Sequence, residues 1–166
     1  MKIETEYKFI IEKPDIETVK SMTDYTESKI TQIYLGSEGT THRVRRREYS
    51  NGEISYTENK KVRISKMSST EFEREISAAE FESLSGNIEK GSAALKKTRR
   101  TFDYRGKTFE LDYYDGWKNT CIMEVELESE DEKFEIPQFI KILLDVTGNK
   151  LYSNHSMAHS FPSEIL

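Results

Sequence analysis

The chain has 166 residues with 25 Lys and Arg against 30 Asp and Glu, which gives a formal net charge of −5. This length predicts one domain, residues 1–166, and the 11% aromatic content argues against a disordered chain. The acidic balance argues against a general nucleic-acid-binding protein, and no apolar run approaches the ~20 residues of a membrane helix. The only cysteine, Cys121, excludes an intramolecular disulfide and favours a reducing, cytoplasmic location.

Alternation of apolar and polar residues with period 2 is the dominant pattern and predicts eight β-strands. They are expected at 3–11, 29–36, 41–49, 53–64, 69–77, 94–104, 107–115 and 120–129. The turn sequences Asn51-Gly52 and Arg105-Gly106 predict hairpins, and the short links favour antiparallel pairing.

Helical patterns fit three short segments. Residues 14–23 begin with Pro14 and Asp15, and residues 77–85 carry Ser77 and Glu80 at the spacing of a capping box. Residues 137–147 begin with a proline, end just before a glycine and are strongly apolar on one face, which predicts a helix packed against the sheet. The predicted class is therefore α+β, mainly β.

The polar faces of the predicted strands carry charges of one sign at every second position. Examples are Arg43 and Arg45, Lys97 and Arg99, and the glutamates at 124, 126 and 128. On a solvated face, charges of both signs usually mix because like charges on neighbouring positions repel. An open sheet with one solvated face is therefore one interpretation. The other is a closed eight-stranded antiparallel barrel whose charges point inward around a polyanion and its metal ions.

The inward-facing charges of such a barrel would be nearly balanced. The predicted metal ligands are the carboxylates Glu4, Glu6, Glu73, Glu75, Asp112, Glu124 and Glu126. The predicted inward cations are Lys8, Arg43, Arg45, Lys61, Lys97 and Arg99. Seven carboxylates beside a polyphosphate repel it unless divalent cations intervene, and oxygen-only ligands suit one or two ions of Mg²⁺ or Mn²⁺. Arginine binds phosphate oxygens bidentately, and lysine binds them as a point charge.

These motifs resemble those of the CYTH superfamily, the triphosphate tunnel metalloenzymes. The segment Glu4-Thr5-Glu6-Tyr7-Lys8 matches the family's ExExK signature. Further elements follow in the family's order along nearly the whole chain, namely Arg43-Val44-Arg45, Thr57 with a nearby lysine, Glu73-Arg74-Glu75, Lys97-Thr98-Arg99, Asp112, Glu124-Val125-Glu126 and Lys150-Leu151-Tyr152-Ser153-Asn154.

At two points of this resemblance, two residues are alternatives for the same position of the family's motif. The family has Thr-x-Lys, but Asn59 stands where the lysine is expected, so either Lys61 on the same strand face or Lys60 with a bulge takes its place. Glu71 is likewise an alternative to Glu75 as the partner of Glu73, with Glu75 preferred because the helix follows it directly.

The resemblance implies a tunnel that holds a linear triphosphate. Its substrate-binding residues would be Arg43, Arg45, Lys61, Lys97, Arg99 and Lys150. Lys8 would transfer a proton, together with Tyr34, for which a simple role in the barrel wall is the alternative.

The activity implied first is hydrolysis of inorganic triphosphate to pyrophosphate and phosphate. The alternatives are a class IV adenylate cyclase, a thiamine or nucleoside triphosphatase, and a non-catalytic module that binds polyphosphate or nucleotides. The expected partner is a small triphosphate or nucleotide, without nucleic acid or membrane, in a monomer or a homodimer.

His155 and His159 are four residues apart, which places them on one face if the segment is helical. A zinc site would need further ligands, and Cys121 is remote in sequence. A role at a helix surface or cap is therefore the favoured interpretation of this pair.

Overall fold

The computed structural model describes residues 1–166 and confirms the mainly β fold. Its strands are β1 Lys2–Glu12, β2 Thr23–Leu35, β3 Thr41–Tyr49, β4 Ile54–Arg63, β5 Ser68–Glu75, β6 Leu95–Tyr104, β7 Lys107–Tyr113, β8 Thr120–Leu127 and β9 Ile142–Asp145. Its helices are α1 Ile16–Lys20, α2 Ala78–Ser85 and α3 Asn154–His159, with a 3-10 turn at Lys150–Tyr152 before α3. None of the helices has the length and apolar content that crossing a membrane requires.

Eight antiparallel strands close into a barrel in the order β5-β4-β3-β2-β6-β7-β8-β1, and β1 returns to β5. The closing strand β1 pairs with β8 from Thr5 to Glu12 and with β5 from Lys2 to Thr5. Since successive side chains of a strand point to opposite faces, closure sends one alternating set of residues into the interior. The predicted closed barrel is thus confirmed, and the open sheet with a solvated face is wrong.

The predicted helix at 137–147 is wrong, because this segment forms a turn and then β9. Strand β9 pairs with β1 at Phe9, Ile10 and Ile11, beyond Thr5, the last residue of β1 that pairs with β5. The N–H and C=O groups on that edge of β1 need partners, and pairing with β9 supplies them. The apolar residues of the segment are therefore divided, with Val146 buried and Leu144 42% exposed.

Two apolar clusters cover the outside of the barrel. The larger one lies on β1, β6, β7 and β8 and contains Phe9, Phe102, Phe109, Met123 and Val125. The smaller one joins α2 to the wall of β2 and β3 through Phe81, Leu35 and Val44. The predicted capping box begins α2, since Ser77 and Glu80 each bond the other's backbone N–H.

A third apolar cluster fills one end of the barrel. Four of its residues lie on strands or directly after one, each two positions from a charged inward residue, and therefore share the inner face. They are Ile10, Leu95, Tyr114 and Ile122. They meet Tyr152, Met157 and Ala158 of the C-terminal segment. The interior is therefore plugged at one end, and the charged side chains are gathered in the rest of it.

Candidate active site

The charged part of the interior is a cavity of about 580 Å³, lined by 24 residues of which two are hydrophobic. Its nine cationic side chains are Lys2, Lys8, Arg43, Arg45, Arg47, Lys61, Arg63, Arg99 and Lys150. Its seven carboxylates are Glu4, Glu6, Glu71, Glu73, Glu110, Glu124 and Glu126. These two sets come from seven strands and the 3-10 turn, so only closure of the barrel brings them together.

Strand β3 contributes guanidinium groups that the protein does not fully satisfy. Nε of Arg43 and Nε of Arg45 are buried and have no hydrogen-bond partner. Nη2 of Arg45 donates to Oε1 of Gln32 at 2.9 Å. Burial, together with Arg43 and Arg99, lowers the pKa of Arg45 to about 9. Buried donors without acceptors are costly, so this corner of the cavity favours an anionic ligand.

Arg99 is held by carboxylates instead. Its Nε and Nη2 donate to the two oxygens of Asp112 at 2.8 and 2.9 Å, and its Nη1 donates to Glu110 at 2.8 Å. The Asp112 carboxylate also accepts from Nζ of Lys97 at 2.8 Å. Burial would raise the pKa of Asp112, but Arg99 and Lys97 outweigh it and lower that pKa.

Three predicted residues therefore do not line the cavity. Asp112 and Lys97 lie behind Arg99 because they satisfy each other there, and Glu110 takes the place expected for Asp112. Glu75 is exposed at the end of β5, and Glu71 lines the cavity in its place. The preference for Glu75 over Glu71 was wrong because β5 extends beyond the cavity before α2 begins.

Of the two alternatives on β4, Lys61 and Lys60, it is Lys61 that lines the cavity. Its side chain faces the cavity and Nζ lies 2.5 Å from Oε1 of Glu4, whereas Lys60 is exposed on the outer face. Asn59, which stands where the family has lysine, donates to Glu71 at 2.6 Å and to Glu73 at 3.4 Å. Strand β4 therefore needs no bulge to bring a lysine into the cavity.

Carboxylates crowd the part of the cavity around β1 and β8. Burial raises the pKa of Glu6 well above its usual range, and the neighbouring Glu124 and Glu4 add to this. Burial would also raise the pKa of Glu124, but Lys8 and Arg99 are close enough to lower it to about 2. Glu126 lies at the rim in an ion pair of 2.9 Å with Lys2.

Lys8 lies among these carboxylates. Its Nζ is 3.4 Å from Oε1 of Glu124 and donates to the backbone carbonyl of Tyr152 at 3.2 Å. Burial favours the neutral amine, but Glu124, Glu6 and Asp112 outweigh burial and raise the pKa of Lys8. In the protein without ligands, Lys8 is therefore a charged ammonium group.

Tyr34 and Lys150 both line the cavity but differ in exposure. Tyr34 is 2% exposed, and its hydroxyl accepts from Nε2 of Gln32 at 3.0 Å. Lys150 is exposed and comes from the 3-10 turn. Four charged residues of the lining were not among the predicted site residues or their alternatives, namely Lys2, Arg47, Arg63 and Glu110. Each lies two positions from a predicted inward residue of its own strand, so the alternating pattern could have identified it.

The chemistry of the donors fits a hard divalent cation. The carboxylates that line the cavity offer oxygen ligands, and Glu6 holds its negative charge only at a cost because Glu4 and Glu124 are near. A divalent cation removes that cost, and cations such as Mg²⁺ and Mn²⁺ prefer oxygen ligands.

The arrangement defines a class of protein, a closed β-barrel that encloses a cavity charged with both carboxylates and guanidinium groups. The family model of the CYTH domain matches residues 2–161, and the chain belongs to the CYTH domain family. This family implies dependence on a divalent metal and action on small triphosphates.

Solved structures agree with this assignment. The inorganic triphosphatase NE1496 is 27% identical, with 98% of this chain and 99% of that chain covered and a TM-score of 0.60. The PH1819 protein from Pyrococcus horikoshii OT3 is 20% identical, with 77% and 80% covered and a TM-score of 0.61, and shows the fold alone. No curated protein matches the chain at a significant level.

Proposed function

We propose that this protein is a triphosphatase that depends on a divalent metal and hydrolyses inorganic triphosphate to pyrophosphate and phosphate. The observation that carries the proposal is the pair of buried, unpartnered Nε atoms of Arg43 and Arg45 in a cavity lined by seven glutamates. Unsatisfied guanidinium donors bind an anion with several oxygens, and the glutamates supply oxygen ligands for a divalent metal ion. The 27% identity to the inorganic triphosphatase NE1496 supports the same substrate.

The lining of the cavity favours inorganic triphosphate over a nucleotide or thiamine triphosphate. Only two of its 24 lining residues are hydrophobic. Sites for organic ligands are lined mainly by apolar and aromatic side chains, which bury the rings of such ligands. A cavity of charged groups matches a substrate that consists of phosphate groups alone.

We assign one or two ions of Mg²⁺ or Mn²⁺ to the carboxylates at the wall of β1, β5, β7 and β8. The candidate ligands are Glu4, Glu6, Glu71, Glu73, Glu110, Glu124 and Glu126. When bound, such an ion neutralises phosphate charge and lowers the pKa of a water that attacks the phosphorus.

The cations of the opposite wall bind and orient the substrate. Arg43 and Arg45 donate to phosphate oxygens with the nitrogens that the protein leaves free. Arg99 is fixed by Asp112 and presents a rigid positive charge, and Lys61 and Lys150 add point charges. Fixed positive groups stabilise the charge of the transferring phosphoryl group without reorganisation during the reaction.

Lys8 carries its proton at Nζ before the substrate binds, so we assign it as a proton donor and a stabilising charge rather than as a base. Tyr34 lines the same cavity and is held by Gln32. We further propose that the protein acts on a small molecule without nucleic acid or membrane, as a monomer or a homodimer in the cytoplasm.

Phosphate release tests the proposal directly. Inorganic triphosphate, ATP and thiamine triphosphate are each incubated with the protein and either Mg²⁺ or Mn²⁺, with cyclic AMP assayed in parallel. We expect the highest kcat/KM for inorganic triphosphate, no cyclic AMP, and no turnover in EDTA. Binding of triphosphate without turnover contradicts the enzyme assignment, and cyclic AMP formation contradicts the hydrolase assignment.

The two faces of β3 supply a matched pair of variants. Arg43→Gln removes a cavity guanidinium, whereas Arg46→Gln removes one from the outer face, where it pairs with Glu48 at 3.4 Å. We expect Arg43→Gln to lower kcat/KM by about 10²- to 10³-fold, as loss of one transition-state donor does, with Arg46→Gln near wild type. Equal activity of the two variants would exclude the assigned role of Arg43.

A further inference from the structure

Beside the main cavity, one side-chain cluster combines two histidines with a carboxylate, and only His155 of the three also lines the cavity. Nε2 of His155 and Nε2 of His159 lie 2.9 and 2.5 Å from the same oxygen of Glu89. The ligand atoms of the three residues all lie within 4.8 Å of one another. The histidines are the second and last residues of α3, so the i, i+4 spacing places both rings over one point.

The third member comes from a distant part of the chain. Glu89 lies in the connection between α2 and β6, and its backbone N–H donates to the carbonyl of Tyr34 at 2.8 Å. The same connection is tied to α3 itself, because the N–H of Ala93 donates to the carbonyl of Ala158 at 2.9 Å. These backbone bonds hold the three side chains together before any ion binds, which reduces the entropic cost of binding.

We propose that Glu89, His155 and His159 form a second metal site for a divalent transition ion of the zinc type, distinct from the carboxylate sites of the cavity. Two imidazole nitrogens and one carboxylate oxygen match the ligand sets of zinc sites that keep one position for water. Imidazole ligands suit Zn²⁺, Co²⁺ and Ni²⁺, whereas Mg²⁺ prefers oxygen ligands alone. The two kinds of site therefore select different ions.

The position of this site gives the ion a structural effect. It joins α3, which belongs to the plug of the barrel, to the connection between α2 and β6. His155 also lines the main cavity and packs against the ring of Tyr34, with 5.2 Å between ring centroids. A bound ion thus clamps the C-terminal segment beside the cavity.

The test uses the full chain in millimolar Mg²⁺, which occupies the oxygen sites. Co²⁺ titration is followed by visible absorption, because Co²⁺ bound by nitrogen ligands at low coordination number absorbs far more strongly than octahedral Co²⁺. We expect one equivalent of this signal, its displacement by Zn²⁺, and a rise in melting temperature with Zn²⁺, since an ion that binds only the folded state stabilises it.

His159→Ala and Glu89→Gln each remove one ligand, and His42→Ala is the matched control. His42 is the third histidine of the chain and pairs with Glu58 on the outer face. We expect both ligand variants to weaken Zn²⁺ binding by at least about tenfold, because even changes outside the ligand shell cost 10- to 100-fold. His42→Ala keeps wild-type binding.

Co²⁺ absorption and Zn²⁺ stabilisation that are equal in wild type, His159→Ala and His42→Ala would overturn the site, as would the absence of any signal in wild type. Circular dichroism in Mg²⁺ verifies that each variant is folded. The result is independent of triphosphate hydrolysis, because none of these measurements involves turnover.

Discussion

At the scale of single residues, Arg43 and Arg99 show two uses of a buried guanidinium in one cavity. Arg99 is fully occupied by Asp112 and Glu110, so its charge is held in one position. Arg43 keeps a buried Nε without an acceptor. The two arginines therefore have different roles. Arg99 forms a fixed part of the cavity wall, whereas Arg43 keeps a donor that a ligand can use.

Lys8 gives a prediction at this scale. Because its carboxylate neighbours raise its pKa above the ordinary value, Lys8 donates a proton or a stabilising charge in the reaction. We expect Lys8→Ala to lower kcat by about 10²-fold or more, as loss of a general acid does, while metal-dependent triphosphate binding changes less than about tenfold. Steady-state kinetics and calorimetric titration measure the two quantities.

The control for this variant is Lys29→Ala, which removes an exposed lysine from β2. Its turnover should equal that of the wild type. Unchanged turnover in Lys8→Ala, or an equal loss of binding and turnover, would contradict a role for Lys8 in the chemical step.

At the scale of elements, α2 shows how a short helix is stabilised by its first turn. With eight residues, it is too short to persist alone, and it depends on the capping box of Ser77 and Glu80 and on the burial of Phe81 in the apolar cluster that includes Val44. It lies outside the barrel wall, so it affects the cavity only through the fold.

The capping box can be tested without touching the cavity. Ser77→Ala removes the side-chain acceptor of the Glu80 N–H and should cost about 1 kcal/mol of unfolding free energy, or ~2–4 °C in melting temperature. Ser83→Ala, on the same helix and exposed, should leave the melting temperature the same or slightly higher because alanine is the better helix former. Thermal unfolding followed by circular dichroism measures both, and a loss in Ser83→Ala equal to that in Ser77→Ala would contradict the capping argument.

At the scale of the whole molecule, the barrel interior is divided between a plug and a charged cavity. The apolar residues at one end, with Tyr152 and Met157, form a packed core. The other end gathers nine cations and seven carboxylates. The apolar end stabilises the fold. The charged end holds groups that are satisfied only in part until ligands bind, as is common at functional sites.

Glu6 allows a measurement of how much the crowded charges of the cavity reduce the stability of the protein. Burial, Glu124 and Glu4 raise its pKa, so the folded protein favours the protonated carboxyl group. The stability that the folded protein has with a protonated Glu6 is fully present below the unfolded-state pKa of about 4.3. It is lost as the pH rises through the raised folded-state pKa, because Glu6 then ionises in a buried site beside other carboxylates. Glu6→Gln, which cannot ionise, should therefore be more stable than the wild type in EDTA at neutral and alkaline pH, and less different in acid.

The expected gain is about 1 kcal/mol, or ~2–4 °C in melting temperature for a chain of this size. Mg²⁺ should stabilise the wild type more than Glu6→Gln, because it neutralises the charge that the variant lacks. Glu82→Gln, an exposed change on α2, should show neither effect. A wild type that is more stable than Glu6→Gln in EDTA at every pH would contradict this account of the cavity.

The sequence by itself determined the eight strands, the first turn of α2 and the inward charged faces, because alternation and capping are local patterns. It predicted Glu4, Glu6, Arg43, Arg45 and Glu124 on the inner face for this reason. Only the tertiary structure decided which residues of a face reach the cavity, so Glu71 and Glu110 line it while Glu75 and Asp112 do not.

Closure of the barrel also decided two features that lie far apart in sequence. The free edge of β1 that makes β9 a strand exists only after β5 has paired with the other half of β1. Glu89 meets His155 and His159 across 66 and 70 positions of the chain, a contact that no local pattern encodes. Periodicity assigns side chains to faces, but strand pairing and packing decide which of those faces meet.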